Sequence, residues 1–326
     1  RFLIGNGYLG IRGTLEEYEA DKLPAINLAG VHDQVGSGWR EPVNAPNGCF
    51  SYLKGDGEKF RLPEIAPISH SMELNYRYGI FSRHTTWNTS RGKITLTTQR
   101  IASMQDVSMI GMRFEIHADF HADVELLTGI DSKVWDLNGP HLEEVKLEEC
   151  EGDLLVTATI HEKRIPIAVA SAVHTDDSCE IKIARKEDKI LHRICFITRQ
   201  GENFVAEKWV SVLTGQHHDD PGAEALKQVR EKKQTGYQKM LDEHKAAWDK
   251  LWKHSEVLIK GDDAAMEATN YSLYHLHSIA PRHTGSLSIP ARGLSGQTYK
   301  GAVFWDTEMF MLDFFLMTDP ATARTL

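Results

Sequence analysis

This sequence of 326 residues predicts a mainly β N-terminal domain, a helical linker, and the opening helices of a second, helical body. Three observations lead there. Up to about Gly201, short runs alternate apolar and polar residues, the two-residue period of half-buried strands. Beyond Gly222 the alternation stops, and Tyr237, Leu241, Trp248, Leu251 and Trp252 fall on one helical stripe. Near the end, residues 309–317 are apolar except for Asp313, the composition of a helix buried on all sides.

The first element is ambiguous. Gly5-Asn6-Gly7-Tyr8-Leu9-Gly10 spells G-x-G-x-x-G, the spacing of a dinucleotide-binding turn between a strand and a helix. A strand fits residues 2–4, but Gly13 interrupts the next turn, Pro24 follows, and the downstream chain is β-rich rather than alternating β and α. The glycines are therefore assigned to tight turns or close packing inside a β domain.

The strand pattern is clearest in KITLTTQRI (residues 93–101), DVSMIGMRFEIHA (106–118), DLLVTATI (153–160), CEIKIAR (179–185) and ILHRICFITR (190–199). Turn-forming LNGPH (137–141) and HTDDS (174–178) separate them. Strands without long helices between them predict antiparallel sheets packed face to face, over residues 1–216. The linker occupies 217–260, and Gly236 divides it into two helices. The third part, 261–326, starts with a helix capped by Asp262 or Asp263, continues as a Gly- and Ser-rich loop over 283–301, and enters the apolar helix at 306–317. That part has room for two or three helices of the usual ~11–12 residues. A start at Arg1 rather than Met, and a last stretch PATARTL that itself opens a helix, read as a chain cut at both ends.

Charge and motifs exclude several functions. Thirty-seven basic against 46 acidic side chains give a net charge of −9, which argues against nucleic-acid and anionic-membrane partners. Cys49, Cys150, Cys179 and Cys195 form no C-x-x-C pair and read as reduced thiols. No signal peptide and no membrane-spanning apolar run is visible, which predicts a cytoplasmic protein. His117 and His121 have H-x-x-x-H spacing, but on a strand they stand roughly 13 Å apart, too far to share a metal ion. His217 and His218 beside Asp219 and Asp220 read as a polar turn before the linker helix. No metal site is expected, and no G-x-S-x-G or P-loop is present.

The stretch richest in chemistry is GLSGQTYKGAVFWDTEMF, residues 293–310. An indole covers the apolar C–H face of a pyranose while a neighbouring carboxylate accepts hydrogen bonds from vicinal hydroxyls, which points to Trp305 and Asp306 as a carbohydrate pair. The residue types permit another assignment equally: Asp306 as a helix cap and Trp305 as a core residue. Asp306 and Glu308 lie about 200° apart around a helix, so they make no acid/base pair. Asp313 shares a face with Asp306 but sits deep in the apolar run.

GNGYLGIRGTLEE (5–17) and IPARGLSGQTYKGAVFWDTEMF (289–310) together resemble the disaccharide phosphorylases of glycoside hydrolase family 65. The most specific piece is Phe304-Trp305-Asp306-Thr307-Glu308, and the order of parts along the whole chain agrees. The resemblance implies an N-terminal β super-sandwich, a helical linker and the first helices of a truncated (α/α)6 barrel. It also implies inverting phosphorolysis of an α-glucosyl disaccharide by inorganic phosphate, giving β-glucose 1-phosphate and the freed acceptor. Trp305 and Asp306 would hold the non-reducing glucosyl unit, with Phe304 and Glu308 supporting the site. Phosphate is then a co-substrate, no cofactor or metal is needed, and the whole protein is a homodimer. The family's general-acid Glu and its phosphate-binding residues fall beyond residue 326, so no catalytic residue maps here and this piece is expected to be inactive. Ala302 stands where many members carry His, which leans the acceptor side towards a nigerose or kojibiose type. A trehalase-like family 65 hydrolase and a non-catalytic carbohydrate-binding β-sandwich are the alternatives.

Overall fold

The computed structural model describes residues 2–55, 57–62, 64–176 and 179–326; Asp177 and Ser178, the end of the predicted 174–178 turn, lie outside the described residues. A four-stranded sheet forms first, from β1 (Ile4–Gly5), β2 (Leu9–Ile11), β3 (Ile26–Asp33) and β4 (Glu41–Asn44) in sequence order. The chain continues through β5 (Ser51–Gly55), β6 (Glu58–Phe60), β7 (Ser69–Asn75), β8 (Ile80–Asn88), β9 (Lys93–Ala102) and β10 (Met109–Ala118). Next come β11 (Ala122–Asp131), β12 (Leu142–Cys150), β13 (Asp153–Ile160), β14 (Pro166–Thr175), β15 (Glu180–Lys186), β16 (Lys189–Thr198) and β17 (Asn203–Thr214). These strands build an eight-stranded sheet, β12-β13-β14-β17-β10-β9-β8-β7, and a five-stranded sheet, β15-β16-β11-β5-β6.

Alternation decides which face each residue takes. Along β10, Ile110, Met112, Phe114 and Ile116 all point into the core shared with Leu126 and Ile130 of β11 and Ile190 and Ile194 of β16. The other face of the large sheet is covered as well. Ala168, Ala170 and Ala172 of β14 are small enough to let a helix approach, and they pack with Trp209, Ala225, Val229, Tyr237 and Met240.

Those covering helices are α1 (Pro221–Thr235) and α2 (Tyr237–Ser255). The Asp220 carboxylate accepts from Ala223 N at 2.9 Å to cap α1, and Gly236, with φ +83°, separates the two. Tyr237, Leu241, Trp248 and Trp252 are buried along one side of α2, as their spacing requires. Trp248 stacks on Tyr274 of α3 (Asp263–Ile279) at 5.3 Å, and Asp262 caps α3 through Ala265 N at 2.9 Å. No described helix is long and apolar enough to cross a membrane.

The glycine motif is the turn of the β1–β2 hairpin, and β2, not a helix, follows it. Asn6 Oδ1 accepts from the N–H groups of Tyr8 and Leu9 at 3.0 and 2.9 Å, closing the turn. Gly7, with φ +83°, donates to Ser278 O at 2.8 Å, and a Cβ there would lie 1.8 Å from Ala280 O. Gly10 lies against Leu294, where a Cβ would come within 2.5 Å of the backbone oxygen. The glycines thus let the hairpin sit flush against the end of α3 and the loop beyond it.

Further along the same stretch, Glu16 and Glu17 are buried beneath β8 and β9. Arg83 Nη1 donates to Glu16 Oε2 at 3.0 Å, Arg83 Nη2 to Glu17 Oε1 at 2.9 Å, and Thr98 Oγ1 to Glu16 Oε1 at 3.0 Å. Burial pushes the Glu16 carboxyl up, but Arg100 and Arg83 outweigh it and hold the group below the usual carboxylate range. Residues 5–17 therefore fasten the N-terminal segment to the sheet.

Residues 306–318 are continuously helical, as predicted, but open with a π-helical turn (Thr307–Met311) before the short α4 (Leu312–Thr318); α5 (Pro320–Thr325) follows. Phe315 is buried against Ala280, Ile289 and Ala323, while Phe310 is 69% and Met317 84% exposed. The described neighbours cover one side of this segment and leave the other exposed.

Candidate functional site

The predicted sugar-binding residues lie on a loop closed at its base. Thr307 is buried, and its hydroxyl donates to Ile289 O at 2.8 Å. Ala291 N donates to Ala302 O at 3.1 Å, a second rung that brings both ends of residues 289–307 together. The buried threonine turns the preceding tryptophan outward.

Trp305 is 65% exposed, with its ring 5.9 Å from that of Phe310. Asp306 has helical backbone angles, φ −56° and ψ −33°, and its side chain makes no capping bond. Neither Asp306 nor Glu308 has a side-chain hydrogen bond or ion pair with another described residue. Phe304 is 44% exposed and packs edge-on to Tyr299 at 6.1 Å. The structure thus sets an exposed indole next to an unpaired, half-buried carboxylate on an anchored backbone. Chemically, that arrangement offers an apolar platform and a hydrogen-bond acceptor to a polyhydroxylated ligand.

The β domain holds the loop from below. Asn27 Nδ2 of β3 donates to Leu294 O at 3.2 Å, and Gln297 Nε2 donates to Pro42 O of β4 at 2.8 Å. The Lys300 ammonium sits 4.5 Å over the Trp39 ring. These docking residues were missed in the sequence. Asn27 and Leu294 are separated by 267 positions, and no local periodicity connects them.

Behind the dock lies a group of metal-ligating types, Glu41, Asp136 and His141, whose ligand atoms fall within 4.8 Å of one another. Their lone pairs are already in use. Glu41 accepts from Leu137 N, Asn138 N, Asn138 Nδ2, Trp39 Nε1 and His141 Nε2, all between 2.8 and 3.1 Å. His141 Nδ1 is 2.8 Å from Asp33 Oδ2. Burial pulls the imidazole pKa down, but hydrogen bonds to Glu41 and Asp33 outweigh it and raise it above the ordinary histidine value. Burial, helped by the Glu41 charge, drives the Asp136 carboxyl up against the lowering pull of His141 and Gln297. A protonated His141 between two carboxylates is an ionic brace for the 136–141 turn, and a cation would have to displace those bonds.

The histidine pairs singled out in the sequence stand apart from this loop. His117, on β10, bonds Asn203 at 3.0 Å; His121 is exposed just beyond that strand. His217 and His218 occupy the turn that Asp220 ends.

Comparisons with known proteins agree along the whole chain. Residues 1–251 match the model of the glycosyl hydrolase family 65 N-terminal domain, and residues 270–326 that of the family 65 central catalytic domain. A nigerose phosphorylase of Lachnoclostridium phytofermentans is 45% identical over 349 aligned residues, covering 100% of this chain and 46% of the relative. A kojibiose phosphorylase of Escherichia coli is 30% identical, covering 99% of this chain and 43% of the relative. A solved structure described as a putative kojibiose phosphorylase from the human microbiome superposes with a TM-score of 0.90 at 18% identity, over 100% of this chain and 45% of that one. The chain spans less than half the length of these relatives.

Proposed function

We propose, because this chain belongs to glycosyl hydrolase family 65, that the full-length protein containing it performs inverting phosphorolysis of an α-glucosyl disaccharide. The observation that carries the reading is the 45% identity, over the entire chain, to a protein named nigerose phosphorylase, against 30% for those named kojibiose phosphorylase from Escherichia coli and 1,2-alpha-glucosylglycerol phosphorylase. A nigerose-type acceptor is therefore the first choice, in keeping with Ala302 at the position that prompted the same leaning in the sequence.

In this reading Trp305 covers the C–H face of the non-reducing glucosyl ring and Asp306 accepts from its hydroxyls, while Phe304 and Glu308 flank them. The bond from the anomeric carbon to the acceptor oxygen breaks, and a carboxylic acid protonates that oxygen. Inorganic phosphate forms the new bond from the opposite face, giving β-glucose 1-phosphate. Phosphate thus replaces the water that a second carboxylate would activate. The partners are the disaccharide and phosphate, without metal or organic cofactor, and the setting is a cytoplasmic homodimer.

The test is a pair of substitutions in the full-length protein. Trp305→Ala and Asp306→Asn should each lower kcat/KM for the disaccharide by about 10²-fold, because both fix the reacting ring. Wild-type rates in both variants would remove the glucosyl subsite from this loop.

A further inference from the structure

Residues 299–301 carry three consecutive left-handed backbone conformations: φ +60° at Tyr299, +61° at Lys300 and +64° at Gly301. Two of these residues bear side chains, for which this region is unfavourable, and such a turn persists only where its surroundings hold it. From below, packing holds only its end, where a Cβ on Gly301 would lie 2.6 Å from His32 Nε2 and 2.7 Å from Pro42 Cγ. A cavity of about 200 Å³ lies beneath the loop, walled by Gly30, His32, Leu287, Pro290, Leu294 and Val303.

The polar anchors converge on one side chain. Gln297 is fully buried, and its amide nitrogen donates both to Pro42 O at 2.8 Å and to Asp136 Oδ1 at 3.0 Å. Its backbone carbonyl accepts from Lys300 N at 2.9 Å, which closes the left-handed turn. Ala302 N then donates to Tyr299 O at 3.0 Å, and Ala302 O receives Ala291 N, three residues before Trp305. Both acceptors of Gln297 belong to a rigid frame, since Pro42 lies in β4 and Asp136 in the turn braced by Glu41 and His141.

We propose that Gln297 is a positioning residue for the glucosyl subsite: it fastens the left-handed 299–301 turn to the β domain and so sets the height and direction of Trp305 and Asp306. Among the links between the β domain and this loop, the Gln297 amide is the one that reaches the left-handed turn from a buried position. The kinetic consequence rests on the phosphorolysis reading; the structural consequence does not.

The experiment uses the full-length protein with Gln297→Met, which keeps the volume and removes both donated bonds. Expected is a roughly tenfold fall in kcat/KM for nigerose, about 1.4 kcal/mol, carried mainly by KM for the sugar. KM for phosphate should stay within about twofold, whereas a general loss of folded enzyme would lower the apparent kcat and leave both KM values unchanged. Hydrogen exchange of the Lys300 and Ala302 amides should quicken in the variant. Trp39→Leu, at a residue 45% exposed, loosens the same turn from outside and carries the test if Gln297→Met does not fold. Unchanged sugar kinetics in an active enzyme overturns the positioning role and leaves phosphorolysis standing. A wild-type protein inert towards phosphate sinks the phosphorolysis reading instead. In that case amide exchange decides: unaltered protection overturns the positioning role, and faster exchange upholds it.

Discussion

Replacing Gly7 by alanine should be among the most damaging single-methyl changes available to this protein. The added carbon would lie 1.8 Å from Ala280 O and 2.6 Å from Ala280 C, both backbone atoms that cannot rotate away. The backbone at Gly7, φ +83°, costs an L-residue roughly 1–2 kcal/mol before any contact is counted. Moving the hairpin to relieve the overlap breaks the 2.8 Å bond from Gly7 N to Ser278 O, about 1 kcal/mol. Overpacking of this kind adds about 1–3 kcal/mol. The sum, roughly 3–6 kcal/mol, is comparable to much of the ~5–15 kcal/mol that keeps a typical protein folded. Urea unfolding followed by tryptophan fluorescence measures it, with Gly152→Ala as the reference. Gly152 has φ +86° but nothing within 4 Å of its virtual Cβ, so that variant should lose only the conformational 1–2 kcal/mol. Equal losses in the two variants would refute the argument that the glycine is there for close approach.

Trp248→Ala should cost about 3–5 kcal/mol, because the fully buried indole stacks on Trp252 and Tyr274 and joins α2 to α3; a midpoint shift under about 1 kcal/mol would contradict that packing role. Burial pushes the Lys208 ammonium down to about 7, while in the unfolded chain it titrates near ~10.4. Between those values the unfolded chain holds a proton that the folded one lacks, so folding gains up to about 1.4 kcal/mol per pH unit. Lys208→Met should abolish that rise between pH 7 and 9, and a difference between wild type and variant that does not change with pH would contradict it. Met309, Phe310, Leu316 and Met317 together leave an exposed apolar face, so this 326-residue polypeptide by itself should self-associate in light scattering; a monodisperse monomer at high concentration would count against that face being sticky.

What the sequence disclosed follows from how each segment is exposed. Strands with one covered face announce themselves by alternation, and β13 spans Asp153–Ile160 as its pattern indicates. β14, PIAVASAVHT, is buried on both faces by the core and by α1, so its apolar run carries no period and was not singled out. Apolar composition over 309–317 announced a helix suited to burial in a larger helical body, but which side the described residues cover, that of Phe315, was not legible in it. At the candidate site, FWDTE marked the stretch by residue type, but whether Asp306 caps a helix depends on its backbone angles. The next residue, Thr307, bonds Ile289 O, 18 positions away, a contact that no local pattern announces. Gln297 was invisible for a simpler reason: its partner Pro42 is 255 positions distant, and neither residue is distinctive alone.

The most direct test of the central claim is to follow the full-length protein with nigerose by ³¹P and ¹H NMR, with and without inorganic phosphate, reading the anomeric configuration of the first product. The account predicts β-glucose 1-phosphate formed only when phosphate is present, together with one equivalent of free acceptor glucose. The α-anomer would contradict inversion, and release of both glucose units at a rate indifferent to phosphate would contradict phosphorolysis altogether.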